Sequence, residues 1–244
     1  MNDFSQGSVK KRIIEQAIPL TLAQIVQLLY NMVDRIYIGH LPETGDLALT
    51  GVGITFPIIV LIAAFTGLFG NGAVPLFSIT RGNKRDDEAE NIMGNAFTLL
   101  MIAAVLLFAV CYLFRRPILF LFGASEASYE YADQYLQIYL FGTVCSMMAT
   151  GMNGFINAQG FPRVGMLTTV VGAVINIVLD PVFIFGFHMG VQGAALATVI
   201  SQAVSAVWVF RFLTGKKAIL KLKKECFRLE AERVKRMAPL HCYY

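Results

Sequence analysis

Two aspartates stand inside long apolar stretches, Asp34 in NMVDRIYIGH (31–40) and Asp180 in NIVLDPVFIF (176–185). An acid placed in a membrane span costs roughly 2.5–3.5 kcal/mol on insertion scales, so such residues face a cavity, find a partner or bind a cation. Asn176 lies four residues before Asp180 and shares its helical face. Thr198 lies a similar distance past the short loop at 188–191, on the next stretch, which runs the opposite way. Pro181 has no amide hydrogen, so the carbonyl of Ile177 loses its helical partner. Carboxylate, amide oxygen, hydroxyl and freed carbonyl together are the oxygen donors a small hard cation takes. Removal from water also disfavours a charged carboxylate, so the same pair is suited to a proton. Plainer structural readings stand beside this one. Asp34 can pair with Arg35, Asn176 can serve as interhelical glue, and Thr198 can bond its own helix backbone.

Further polar residues extend the pattern. Gln24, Gln27 and Asn31 recur at helical spacing and form a stripe ending at Asp34, which suggests a water-filled face. Pro19 sits in the middle of the same stretch, as a gating bend or a static kink. Tyr135 and Tyr139 share one helical face, to contact a substrate or to anchor at the membrane interface.

The elements that carry these residues are membrane spans. The chain is 56% hydrophobic and only 15% charged, against about 25% charge for a soluble domain. A span needs about 20 apolar residues, and six fit: 13–38, 47–79, 91–114, 128–158, 165–187 and 192–213. All are expected to be helices, because a helix satisfies its own backbone in lipid. The second and fourth are over-long, which points to tilt, a bend or an interfacial extension. The fold class is therefore an all-α six-helix transmembrane bundle. It spans 13–213, between an N-terminal segment 1–12 and a segment 214–244.

Charge sets the expected orientation. With six spans, 17 of the 20 Lys and Arg fall on one side, all but Arg35, Arg115 and Arg116. Both termini are then expected in the cytoplasm. In the tail, Ile219, Leu222, Cys226 and Leu229 fall on one helical face among many charges. This predicts a basic amphipathic helix over 216–236, on the inner leaflet or solvated. MAPLHCYY at 237–244 turns apolar again, as at the entry to another span. The first apolar block carries Glu15 and Asp34 and lacks a small-x-small cleavage site, so it is expected to remain as a span.

Several function classes are disfavoured. The basic residues border apolar blocks rather than forming a stripe with aromatics, so nucleic acid is not an expected partner. Cys111, Cys145, Cys226 and Cys242 lack metal-like spacing. There is no GxxxxGK[ST], HExxH or GxSxG, so neither an ATP-driven pump nor a hydrolase is indicated, and no cofactor is expected.

NMVDRIYIGHLPETGDLALTGVGITFPI (31–58), NAQGFPRVGM (157–166), NIVLDPVFIFG (176–186) and MGVQGAALATVISQ (189–202) resemble the bacterial branch of the multidrug and toxic compound extrusion family. The similarity covers 13–213. It implies an N-terminal lobe of a twelve-span transporter built from parallel repeats, which exports cationic lipophilic compounds against H⁺ or Na⁺ across the bacterial inner membrane. On that resemblance, Asp34, Asn176 and Asp180 match the family's cation site, Thr198 a polar position in the sixth helix of some members, Tyr135 a polar position of the fourth helix and Pro19 a bending proline. The segment 216–236 resembles an inter-lobe linker. A second six-helix lobe, or a second copy of this chain, is then the expected partner. The alternatives are a truncated, non-transporting fragment and a lipid-linked saccharide flippase. A flippase favours an arginine-rich cavity, and no Lys or Arg lies deep in these spans.

Overall fold

The computed structural model describes residues 9–42 and 44–229, and all their regular structure is helical. Helix α1 spans Val9–Gly39, α2 Gly45–Thr66, α3 Ala73–Gly82 and α4 Asp86–Leu113. A short α5 (Arg115–Leu121) precedes α6 (Glu126–Phe141) and α7 (Thr143–Ala158). Helix α8 spans Pro162–Pro181 and α9 Val191–Thr214.

Among the described residues, five runs are long and apolar enough to cross a membrane: Ile13–Gly39, Gly45–Gly82, Asp86–Leu113, Pro162–Gly186 and Val191–Thr214. The expected fourth span is instead a pair of 16-residue helices, α6 and α7, meeting at Gly142. Gly142 keeps a right-handed helical backbone, and Ser146 donates its amide to the Gly142 carbonyl at 2.8 Å. The pair therefore continues as one rod with a local break. The over-long second span has a different cause. A π-helical turn, Gly67–Asn71, separates α2 from α3. Pro75 offers no amide to the Asn71 carbonyl, so the regular ladder is already interrupted there. Pro181 acts likewise, and α8 passes into a π-helical turn at Val182–Gly186.

The exterior is apolar, and the mostly apolar interior also encloses polar side chains. Leu28, Leu113 and Leu121 are 69%, 75% and 80% exposed, whereas Asn176 and Asp180 are 0% exposed. An apolar girdle of this kind suits hydrocarbon as its solvent. Inside, α1 packs chiefly on α8, α8 and α7 on α9, and α2 on α6. Phe77 and Phe155, both fully buried, meet edge to face at 5.2 Å between α3 and α7.

The segment after α9 departs from expectation. No amphipathic helix forms over 216–229; residues 230–236 of that prediction, and 237–244, lie outside the described residues. Residues 218–223 are irregular, with a bend at 219–220, and lead into a single 3₁₀ turn, Lys224–Phe227. Ala218, Leu220 and Leu222 are buried while Lys217, Ile219, Lys221 and Lys223 are exposed. That alternation has a period of two. Its backbone is held by side chains of the bundle. Gln159 Oε1 accepts the amides of Ile219 at 2.9 Å and Leu220 at 3.0 Å, and Glu90 Oε1 accepts that of Lys221 at 3.0 Å. Lys223 forms an ion pair with Glu90. Thr98 donates to the Phe227 carbonyl at 3.0 Å, and Phe97 stacks on Phe227 at 5.1 Å. Buried side-chain acceptors took the amides that a helix would have used internally.

Candidate functional site

Because α1 lies along α8, Asp34 and Asp180 converge. Their carboxyl groups come within hydrogen-bonding range of each other. Asp34 is 8% exposed and Asp180 fully buried. Asn176, one turn earlier on α8, donates through Nδ2 to Asp180 Oδ1 at 3.2 Å and to Thr198 Oγ1 at 3.3 Å. Thr198 thus pairs across helices rather than with its own backbone.

Helix α9 reaches this depth because Gly193 lets it close on the π-helical turn after Asp180. A Cβ on Gly193 would stand 2.7 Å from the Phe183 carbonyl carbon. The loop between them ends at Gly190, whose φ of 56° and ψ of −129° a side chain would resist.

Three buried oxygens of this cluster have no hydrogen-bond donor: Asp34 Oδ1, Asp180 Oδ2 and Asn176 Oδ1. A buried acceptor without a donor costs about 1–3 kcal/mol. Three such oxygens from adjoining side chains are therefore an unfilled demand for positive charge. A proton shared between the carboxyls, or a small hard cation, would meet it. Among the described residues no group of three or more His, Cys, Asp or Glu comes together, so the set is one of two carboxylates completed by an amide and a hydroxyl.

Asp34 opens on a cavity of about 590 Å³ that is also lined by Gln27, Asn31, Tyr135 and Tyr139. Gln24 lines an adjoining cavity together with Gln27. Along this stripe Gln24 and Asn31 are exposed at the cavity margins, Gln27 is half-buried and Asp34 is buried. Tyr135 and Tyr139 are buried and stacked at 5.8 Å, and the Tyr135 hydroxyl lies within hydrogen-bonding range of Thr198. They point into the bundle and not toward a membrane interface. Arg35, next to Asp34, sits over the Phe56 ring at 5.5 Å. Pro19 is buried within a helix that runs unbroken from Val9 to Gly39.

The sequence reading passed over Tyr30, which lines both cavities and accepts from Gln27 Nε2 at 3.1 Å. Its signal was present, since Tyr30 lies four residues before Asp34, on the same face. Gln202, four residues past Thr198, was detectable on the same ground and also lines both cavities.

An all-helical bundle with an apolar girdle and a buried carboxylate pair beside a cavity has the build of a membrane-embedded lobe. The MatE family model matches residues 19–182, and the chain belongs to that family. It is 25% identical over 217 residues to the multidrug export protein MepA of Staphylococcus haemolyticus, covering 89% of this chain and 48% of that protein. It is 28% identical over 218 residues to the probable multidrug resistance protein YpnP of Bacillus subtilis, with the same coverage. A crystal structure of MATE in the bent conformation superposes with a TM-score of 0.88 at 27% identity, over 97% of this chain and 52% of that one. A MOP-superfamily transporter from Pyrococcus furiosus, described as having a binding pocket of reversed polarity, superposes at 0.84 with 28% identity, over 97% and 52%. The chain spans about half the length of the relatives it matches. Those relatives are transporters and not enzymes.

Proposed function

We propose that this chain is the cation-binding lobe of a multidrug efflux antiporter in a bacterial plasma membrane. The observation that carries the reading is the Asp34–Asp180 pair, buried and mutually within hydrogen-bonding range, on two different helices. In this reading the pair captures H⁺ or Na⁺, with Asn176 and Thr198 completing the site. Capture draws α1 against α8 and α9, and bending at Pro19 reshapes the cavity lined by Gln27, Asn31, Tyr135 and Tyr139. A cationic lipophilic compound held there is released outward. The ion moves this equilibrium only by its differential affinity for the two states. A second six-helix lobe, or a second copy of this chain, supplies the opposing wall of the cleft. In this reading the end bearing Arg81, Lys84, Arg85 and Arg163 faces the cytoplasm, which the positive-inside bias supports.

The test is dye efflux from vesicles containing this chain, alone and joined to a second six-helix lobe, driven separately by a proton and by a sodium gradient. Efflux under one gradient, lost in Asp180→Asn at equal membrane abundance, is the expected result. Wild-type efflux by that variant rejects the role. A saccharide flippase has less support, because Arg35 is the single basic residue among the described residues lining the Asp34 cavity.

A further inference from the structure

Three cavities follow one another through the bundle. The Asp34 cavity shares Gln27, Tyr30, Asn71, Ser146, Thr150 and Gln202 with a second cavity of about 450 Å³. That second cavity shares Leu20, Asn71, Gly154 and Asn157 with a third of about 370 Å³. The third reaches Gln16 on the first turns of α1, Ser78 near the end of α3 and Ala158 at the end of α7. Arg81 donates to the Ala158 carbonyl at 3.0 Å, which places this mouth at the basic end of the bundle. From Asp34 to Gln16 is about 27 Å at 1.5 Å per helical residue, close to the thickness of a hydrocarbon core.

The lining beyond Asp34 is uncharged and mixes amides and hydroxyls with apolar side chains. Among the described residues, no Asp, Glu, Lys or Arg lines the second or third cavity. Amides and hydroxyls take over, and two of them are poised acceptors. Asn153 Oδ1 and Asn157 Oδ1 are buried without a donor, while Asn153 Nδ2 is engaged with the Gly165 carbonyl at 3.1 Å. Both oxygens crowd the position where a Cβ on Gly165 would stand, and Asn157 Oδ1 is inside contact distance of it. Gly165 therefore keeps open the space that the two oxygens share. Neutral carbonyls stabilise a passing cation or its water without holding it, as a conduction path requires.

We propose that these linked cavities are the route by which the coupling cation leaves the carboxylate pair toward the basic, cytoplasmic end, passing Thr150, Asn153 and Asn157 within this single lobe. This inference rests on the coupling reading above. It adds that ion and drug share only the Asp34 cavity: the ion leaves it through the second and third cavities toward the basic end, while the drug is released outward.

The experiment uses the chain with its four cysteines replaced by alanine, reconstituted in phosphatidylethanolamine–phosphatidylglycerol vesicles of known orientation. Thr150→Cys and Asn157→Cys are labelled with a small membrane-impermeant cationic thiol reagent. Both are expected to react from the basic side. Adding Gly165→Leu is expected to slow the Thr150→Cys reaction from that side at least tenfold. Cation binding is measured on the purified chain in detergent with ²²Na⁺ and by proton uptake, and is expected to vanish in Asp180→Asn. Labelling of Thr150→Cys from the opposite side alone, with cation binding intact, overturns the route and leaves the coupling reading standing. Basic-side labelling with cation binding unchanged in Asp180→Asn overturns the coupling reading, and with it the assignment of the path to that ion. Should Gly165→Leu fail to fold, the sidedness of the Thr150→Cys reaction still decides.

Discussion

Asn176 reaches from α8 to Thr198 on α9, Nδ2 to Oγ1 at 3.3 Å, while the same nitrogen holds Asp180 Oδ1 at 3.2 Å. One amide thus orients the carboxylate and ties its helix to the next. Replacing Asn176 by Ala removes the donor from two buried acceptors, each left at a cost of about 1–3 kcal/mol. The variant is expected to unfold at a lower temperature in detergent, and a cation specific to the site should no longer raise its melting point. Unchanged melting with retained cation stabilisation would contradict the assignment.

Asp34 and Asp180 share one captured charge in the proposed mechanism, so their substitutions should not add. Asp34→Asn and Asp180→Asn are each expected to abolish cation-driven efflux, and the double variant to lose nothing more. The free-energy effects on cation binding should fall short of additivity, as for any pair in direct contact. Additive losses measured by titration would show two independent carboxylates.

Gly193 sets how closely α9 approaches the turn after Asp180. Gly193→Val must push the two segments apart, because the nearest atoms are backbone. Overpacking of this kind costs typically about 1–3 kcal/mol. Lower thermal stability together with weakened cation binding is expected, since Thr198 moves with its helix. A stable variant with weakened binding would still agree; a stable variant with native binding would not.

The non-helical strap after α9 makes a separate prediction. Gln159 Oε1 holds two backbone amides and Glu90 a third. Gln159→Leu is expected to cost about 1–3 kcal/mol locally, read as roughly ten- to hundredfold faster amide exchange at Ile219 and Leu220. Exchange at Asn176 and Thr198 should stay unchanged. Equal exchange at 219 and 220 in both proteins would show that the strap is held by its buried Ala218, Leu220 and Leu222 alone.

Much of this molecule could be read from residue type and spacing. Apolar length and the scarcity of charge determined the spans, because the bilayer excludes charge whatever the helix partners are. Asp34, Asn176, Asp180 and Thr198 stood out for the same reason: a polar side chain in an apolar run needs an explanation that spacing alone begins to supply. Only packing could decide that α1 lies on α8, so that two distant carboxyls meet. Helical periodicity places Asp34 and Asp180 on faces but cannot say which faces oppose each other. The tail shows the limit from the other side. Its pattern fits a helical face and a two-residue alternation at once, and it was the tertiary structure, through the waiting acceptors of Gln159 and Glu90, that selected the non-helical form. Cavity continuity is likewise a property of the assembled bundle, because it depends on the gaps between helices and not on any one of them.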